Sequence, residues 1–375
     1  MRSIVPAVLR CAQGRVCTLA TLRALENPRP AQLMTVIRAR APLRLGLAGG
    51  GTDVSPYCDE FGGLILNATI DRYAYAVIRT LDQPRLQLHA TDQQQTLNLA
   101  VDAPLDGPGP LALHRAVHRV MSDEHRNGER AALQLTTFCD APVGSGLGAS
   151  STLVVAMVRA YDELWNLALD DYAVAQLAFR IERVECGLAG GRQDQYSAAF
   201  GGFNYMEFYA HDRTVVNPLR VKGWVLSELE ASIVLFYTGV SRESARIISD
   251  QSSGIAAGRA DALQAMHGLK HEAQTMKECL LKGDLQGIVA SLQQGWASKK
   301  ATSAVVSNPH INGIYDAALL AGASAGKVSG AGGGGFMLFF VPPEQRMQVV
   351  RALEQFEGQV SNCHFTKHGA QAWRV

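Results

Sequence analysis

The sequence predicts an α+β protein of two domains, and three observations carry that expectation. The chain has 375 residues, 47% hydrophobic and 18% charged, enough apolar material for two cores of ordinary size. Strand-like and helix-like segments are mixed along it without the regular βαβ order of a doubly wound sheet. Near residue 221 the style shifts from a strand-rich half to a largely helical stretch from about Arg242 to Leu320. The expected division is an extension over 1–33, a first domain over 34–220 and a second over 221–375.

The segment VIRARAPLRLGLAGGG, opening at Val36, alternates apolar and polar residues and then runs into glycines, as a strand entering a loop does. Residues 65–81 and 85–92 alternate similarly, with a turn at Asp82, Gln83 and Pro84 between them. Residues 111–125 have helical spacing at Leu113, Val117, Val120 and Met121, and residues 131–138 form a further strand. Two helices follow. Leu153, Met157, Ala160, Tyr161 and Leu164 line one face of the first; Val174, Leu177, Ala178, Ile181 and Val184 line one face of the second. GGFNYMEFYA and SIVLFYTG return to strand, VSGAGGGGFMLFFVP is a glycine loop feeding a buried strand, and EQRMQVVRALEQF is a short helix.

Composition excludes several classes. A formal net charge of +1 gives no general field for nucleic acid or an anionic membrane. Seven scattered cysteines, with no C-x-x-C pair, make neither a disulfide framework nor a zinc site and suit a reducing cytosol. No apolar run has membrane-spanning length. The first 33 residues carry arginines and almost no acids, yet lack the apolar core of a secretory signal. With Met34 directly before the first strand, they read as an over-long start or a disordered extension.

Chemistry concentrates in three glycine loops. PVGSGLGASST, 142–152, leads straight into the first of the paired helices. A glycine loop entering a helix presents backbone N–H groups and the positive end of the helix dipole, a site for phosphate. Ser150, Ser151 and Thr152 in the first turn offer hydroxyls for capping or for a phosphate-bound Mg²⁺. Gly144, Gly146 and Ala149 formally fit a dinucleotide fingerprint. The acid that it requires some twenty residues later falls here at Asp162 and Glu163, inside the continuing helix. The Walker-like GASAGKV, 322–328, is one residue short and lacks the hydroxyl after Lys327. A non-Walker ATP loop remains, with Pro142, Gly144, Ser145, Gly146, Leu147, Gly148, Ala149, Ser150 and Ser151 at the nucleotide.

The loop PLRLGLAGGGTDVSPY, 42–57, sets Thr52 and Asp53 just after its glycines, where a carboxylate can accept hydrogen bonds from sugar hydroxyls. Arg44 is a candidate for transition-state charge, with a structural ion pair as its alternative. Gly50 and Gly51 join the substrate side. So do Gly332 and Gly333 of the third loop, GAGGGG (330–335), whose flexibility is expected to bring backbone close to the other two loops.

These three segments, in this order, resemble the GHMP kinase superfamily from about Met34 to the end. PVGSGLGASS resembles the family's ATP loop, with Ala149 at one of its serine positions. APLRLGLAGGGTD resembles its substrate motif and KVSGAGGGGF its C-terminal glycine motif. Within the superfamily, GLAGGRQDQYSAAFGGFNYMEF and TGVSRES look closest to the branch acting on D-glycero-D-manno-heptose 7-phosphate. Gly50 and Gly51 stand where galactokinases carry Glu-His, which argues against galactose.

The resemblance implies a ribosomal protein S5 domain 2-like N-terminal domain, a ferredoxin-like C-terminal domain and an active site in the cleft between them. It implies ATP and Mg²⁺ as cofactors, and γ-phosphoryl transfer to an anomeric hydroxyl, giving the 1,7-bisphosphate used for GDP-heptose. By register with the family, Asp194 is the general base, Ser150 the hydroxyl ligand of the metal and Glu182 its carboxylate, with Glu185 as rival.

A phosphate already on the sugar needs a cationic clamp. Arg72, Arg192, Arg242, Arg246, Lys299 and Lys300 are candidates, and Arg192 stands out for its closeness to Asp194. The partner is then a small sugar phosphate, with neither nucleic acid nor membrane. Oligomeric state is open, a homodimer being one arrangement. A free sugar such as fucose as substrate, and a non-catalytic nucleotide- or sugar-binding protein, are the competing readings.

Overall fold

A computed structural model describes residues 35–239 and 244–375, which form one compact unit. The extension over 1–33 and the candidate Arg242 lie outside the described residues. The chain opens with strand β1 (Val36–Ala48) and the short helix α1 (Tyr57–Phe61), followed by β2 (Gly63–Thr80), β3 (Arg85–Ala90), β4 (Gln95–Ala100), α2 (Ala112–His125) and β5 (Leu133–Cys139). Next come α3 (Ala149–Trp165), α4 (Asp171–Phe179), α5 (Gln193–Phe200), β6 (Phe203–Phe208), β7 (Thr214–Pro218), α6 (Gly223–Ser232) and β8 (Ile233–Tyr237).

The helical stretch expected after 242 consists of α7 (Ser244–Ala256), α8 (Ala260–Lys282), α9 (Leu285–Thr302) and α10 (Pro309–Leu320). The chain closes with β9 (Ala325–Val328), β10 (Phe336–Phe340), α11 (Arg346–Leu353), β11 (Gln359–Asn362) and β12 (Gln371–Arg374). Among the described residues, no helix is long and apolar enough to cross a membrane.

Strand β2 organises the first sheet. Its 18 residues outlast any one partner, so its C-terminal half pairs with β5 and its N-terminal half with β6. The sheet runs β12-β1-β2-β5-β3-β4, with β6 and β7 branching from β2. All these pairings are antiparallel except β3 with β5. The second sheet is antiparallel, in the order β11-β8-β10-β9. Strand β12 leaves the C-terminal half and pairs with β1 from Ile37↔Arg374 to Arg40↔Gln371.

Alternation along β1 and β2 buries Ile37, Ala39, Ala74, Ala76 and Ile78 beneath the helices, where α3 contributes Leu153, Val154, Met157, Val158 and Tyr161. Each of the isoleucine, leucine, valine and methionine side chains contributes roughly 1.5–3 kcal/mol when fully removed from water. That packing anchors the N-terminus of α3, the end carrying the glycine loop.

Two histidines on α2 belong to this core. His114 Nε2 lies 2.7 Å from Thr137 Oγ1, and His118 Nδ1 lies 2.7 Å from the Tyr161 hydroxyl. Burial pushes both imidazoles down from 6.5 to about 4. Between those values the unfolded chain binds more protons than the native one, so stability is full above pH 6.5 and falls as pH drops towards 4. The expected loss is on the order of 3 kcal/mol per histidine at most. Urea midpoints measured from pH 7 to 4 check it, and His118→Gln should flatten the slope.

Candidate active site

The three glycine loops meet. Gly144, Gly146 and Gly148 adopt φ of +77°, +81° and +78°, a left-handed run that only glycine follows without strain. The third loop docks on the first so closely that a Cβ on Gly146 would lie 2.5 Å from Ser329 O, and one on Gly335 would lie 2.4 Å from Ser145 O. Ser329 Oγ donates to Gly146 O at 2.9 Å, and Phe336 N to Ser145 O at 2.8 Å. Helix α3 begins at Gly148 with no side-chain cap, so its first amides point into a cleft of about 580 Å³.

Asp194 faces that N-terminus. It lies in the first turn of α5, and a Cβ on Gly148 would come within 3.2 Å of its Cγ and 3.3 Å of Oδ2. Arg44, from β1, holds the other oxygen: Nε donates to Oδ1 at 2.7 Å and Nη2 lies 2.6 Å from it. Arg44 Nη1 also donates to Gly146 O at 2.6 Å, so one guanidinium joins Asp194 to the first glycine loop. Of the two roles open for Arg44, the structure shows the ion pair. It orients Oδ1 and leaves Oδ2 turned to the cleft.

Asp53 closes the other side. Its Oδ2 accepts from the Gln193 amide at 3.0 Å, and its Oδ1 from the Gln193 side chain at 3.4 Å. Burial pushes its carboxyl above the usual range, opposed chiefly by the Gln193 amide. Gly191 permits this contact, since a Cβ there would sit 2.0 Å from Asp53 Oδ2.

The helix expected through Val184 changes character. After Phe179 it widens into a π-helical turn, Arg180–Glu185, closed by Cys186 N donating to Ile181 O at 3.0 Å. The wider turn separates the rival carboxylates. Glu182 points inward, 1% exposed, accepting from Ser150 Oγ at 2.8 Å and Gln195 Nε2 at 2.7 Å. Glu185 pairs with Arg119 at 2.8 Å and is not in the cleft wall.

Several expectations need correction. Thr52 is buried, and its hydroxyl is engaged with Gly49 O, Leu64 O and Leu64 N, so it fastens the loop to β2 rather than meeting a sugar. Gly332 and Gly333 turn towards Val306, whose carbonyl accepts from Gly333 N at 2.8 Å; Gly330 and Ala331 are the third-loop residues at the cleft. Of the substrate-side glycines of the second loop, Gly51 lines the cleft, whereas Gly50 offers its carbonyl to Lys299. Pro142, Ser145 and Leu147 do not line the cleft, whereas Val143, Gly144, Gly146, Gly148, Ala149, Ser150 and Ser151 of the same loop do.

Arg192 lines a side pocket with Ser55, Ser249 and Ser252, but its guanidinium is held by Tyr209 O at 2.9 Å, Asp212 at 3.0 Å and Asp59 at 3.4 Å. Sequence reasoning missed Gln195, which ties Glu182 to Ser151, and the buried Glu272. Glu272 had a visible signal: a charge on a helical stripe with Leu269, Ala273 and Met276.

The donor set fits a magnesium nucleotide. Uncapped amides and three left-handed glycines leave room for phosphate oxygens, and Ser150 with Glu182 offers hard oxygens beside them. Among the described residues, no cluster of three or more His, Cys, Asp or Glu side chains forms a protein cage, so a cation here would draw its remaining ligands from phosphate and water.

Comparison with known proteins agrees. The model of the GHMP kinases N terminal domain matches residues 112–202, and that of the GHMP kinases C terminal matches 276–358. A D-glycero-alpha-D-manno-heptose 7-phosphate kinase of Campylobacter jejuni is 43% identical over 91% of this chain and 100% of its own. The crystal structure of a D-glycero-D-manno-heptose 1-phosphate kinase from Bacteroides thetaiotaomicron is 42% identical, covers 90% of this chain and 99% of its own, and superposes with a TM-score of 0.76. More distant is an L-fucokinase/L-fucose-1-P guanylyltransferase of Bacteroides fragilis, 24% identical over 85% of this chain and 36% of that protein. With both family models matched and a relative 43% identical over nearly the whole chain, the chain belongs to the GHMP kinases.

Proposed function

We propose that the protein transfers the γ-phosphoryl group of ATP to the anomeric hydroxyl of D-glycero-D-manno-heptose 7-phosphate, giving the 1,7-bisphosphate for GDP-heptose synthesis in the cytosol. One observation carries the chemistry: Asp194 Oδ2 faces the N-terminus of α3 while Arg44 holds Oδ1. The substrate rests on the likeness to the two heptose kinases at 42–43% identity.

In this reading the acceptor hydroxyl hydrogen-bonds to Asp194 Oδ2. Its oxygen bonds to the γ-phosphorus as the bond to the β-γ bridging oxygen breaks, ADP leaves, and the hydroxyl proton passes to Asp194. The amides of 148–151 neutralise charge gathering on the phosphoryl oxygens. Ser150 and Glu182 would hold Mg²⁺, which supplies further charge neutralisation when bound. Asp53, anchored on Gln193, orients sugar hydroxyls beside the base.

The names of the two heptose kinases differ in the phosphate position they cite, so the product must be located directly. ADP release from wild-type protein with heptose 7-phosphate is expected, with a second phosphorus resonance appearing at the anomeric carbon. A panel of phosphorylated and free sugars that all fail to release ADP, or a strong preference for a free sugar, would overturn the reading.

A further inference from the structure

The cleft holds a lysine that the reaction scheme does not use. Lys299 sits in the last turn of α9, at the end of the buried stripe Ile288, Leu292 and Trp296. It is 3% exposed yet lines the cleft, and its Nζ donates to Gly50 O at 3.4 Å. Three cations line that cleft. Arg44 is paired with Asp194 and Arg183 lies 3.3 Å from Glu182; among the described residues Lys299 alone has no carboxylate within ion-pair distance.

Four charged groups surround Lys299: Glu272 from α8, Lys327 from β9, Asp53 from the loop after β1, and Arg44 from β1. From α7, Gln251 approaches and donates to Thr302. Glu272 fills a notch cut for it in α9, where a Cβ on Gly295 would lie 1.8 Å from its Oε1. A mid-helix glycine costs roughly 1 kcal/mol against alanine, so the notch marks the carboxylate's place as specified. Lys327 is turned away, its Nζ donating to Leu47 O at 2.9 Å. Burial first, then Lys327, brings the Lys299 ammonium down to about 7, and burial raises the Glu272 carboxyl to about 7. A cation so placed gains most from an anion arriving from outside.

We propose that Lys299 is the specificity residue of the cleft: its ammonium pairs with the phosphate that the acceptor sugar already carries. This rests on the substrate reading above. Of the other candidates for that clamp, Arg242 lies outside the described residues, Arg246 is exposed on α7, and three are engaged elsewhere. Arg192 is held by two carboxylates, Arg72 lies over the Phe336 ring, and Lys300 lies over Trp296. A phosphate beside Lys299 stabilises the protonated amine, so binding above neutral pH takes up a proton.

The test compares kcat/KM for heptose 7-phosphate and for the free heptose in wild type, Lys299→Met and Lys299→Arg. The ratio between the two sugars should fall by about 30-fold or more in Lys299→Met and largely persist in Lys299→Arg, the size of a lost charge-assisted contact to phosphate. Calorimetry of heptose 7-phosphate binding at pH 8, in two buffers of different ionisation enthalpy, should show uptake approaching one proton with wild type and none with Lys299→Met. An unchanged ratio in Lys299→Met, a collapse of the ratio in Arg192→Met instead, or absence of proton uptake by wild type would each overturn the proposal. Should Lys299→Met fail to fold, the wild-type proton count and Lys299→Arg still decide. Wild type that turns over neither sugar sinks the substrate reading itself, a different result from a wild type whose sugar preference ignores Lys299.

Discussion

Asp194→Asn should lower kcat by about 10²- to 10⁴-fold with little change in ATP affinity, the range for removal of a positioned general base. Asparagine keeps the shape and can still meet Arg44, but it cannot take the hydroxyl proton. The substitution also leaves Arg44, 4% exposed, without its anion. Losing one partner of a buried pair costs roughly 3–5 kcal/mol, discounted here because the Asp194 side chain is 18% exposed. A coupled ADP-release assay, with a melting curve on the same sample, separates the two effects. A folded Asp194→Asn protein retaining more than a tenth of wild-type kcat would remove Asp194 from the role of base.

Gly146→Ala should damage the first glycine loop through a single added methyl. At φ +81° an alanine pays about 1–2 kcal/mol for the left-handed backbone. Its Cβ would also sit 2.5 Å from Ser329 O, a backbone atom that no rotamer can move aside. The first and third loops must then part, disturbing Gly146 O, the shared acceptor of Arg44 Nη1 and Ser329 Oγ. ATP affinity should fall at least about tenfold, as the loss of one or two charge-assisted contacts would cause. Gly187→Ala is the control: φ is +65°, nothing lies within 4 Å of the added carbon, and only the conformational cost remains. Calorimetric titration with ATP checks both variants; equal affinities would mean that the contact between the loops does not shape the nucleotide site.

Legibility in the sequence followed how local each cause was. The strands around 36–48, 63–80 and 133–139 and the helices over 112–125 and 149–165 could be read because alternation and helical spacing are written within each segment. Strands β4, β7, β9, β11 and β12 were not anticipated. They are four to six residues long, and two of them, β4 and β12, are largely exposed, so pairing partners define them rather than pattern. Glu182 could not be separated from Glu185 because a regular helix puts both on neighbouring positions, and only the π-helical turn parts them. Thr52 looked like a sugar ligand until Leu64, twelve residues on, proved to hold its hydroxyl.

The sequence alone determined which segments stand out: three glycine-rich loops, the middle one entering a helix, in an order that resembles the GHMP kinases. These are local requirements, met or failed within a dozen residues. Only the tertiary structure decided which side chains act together. Arg44 reaches Asp194 across 150 positions of chain, and Lys299 reaches Gly50 across 249, because burial of β1, α5 and α9 around shared cores brings remote segments together. Whether a carboxylate serves as base, anchor or metal ligand depends on the charges and hydrogen bonds that packing sets around it, and nothing in its own segment specifies those.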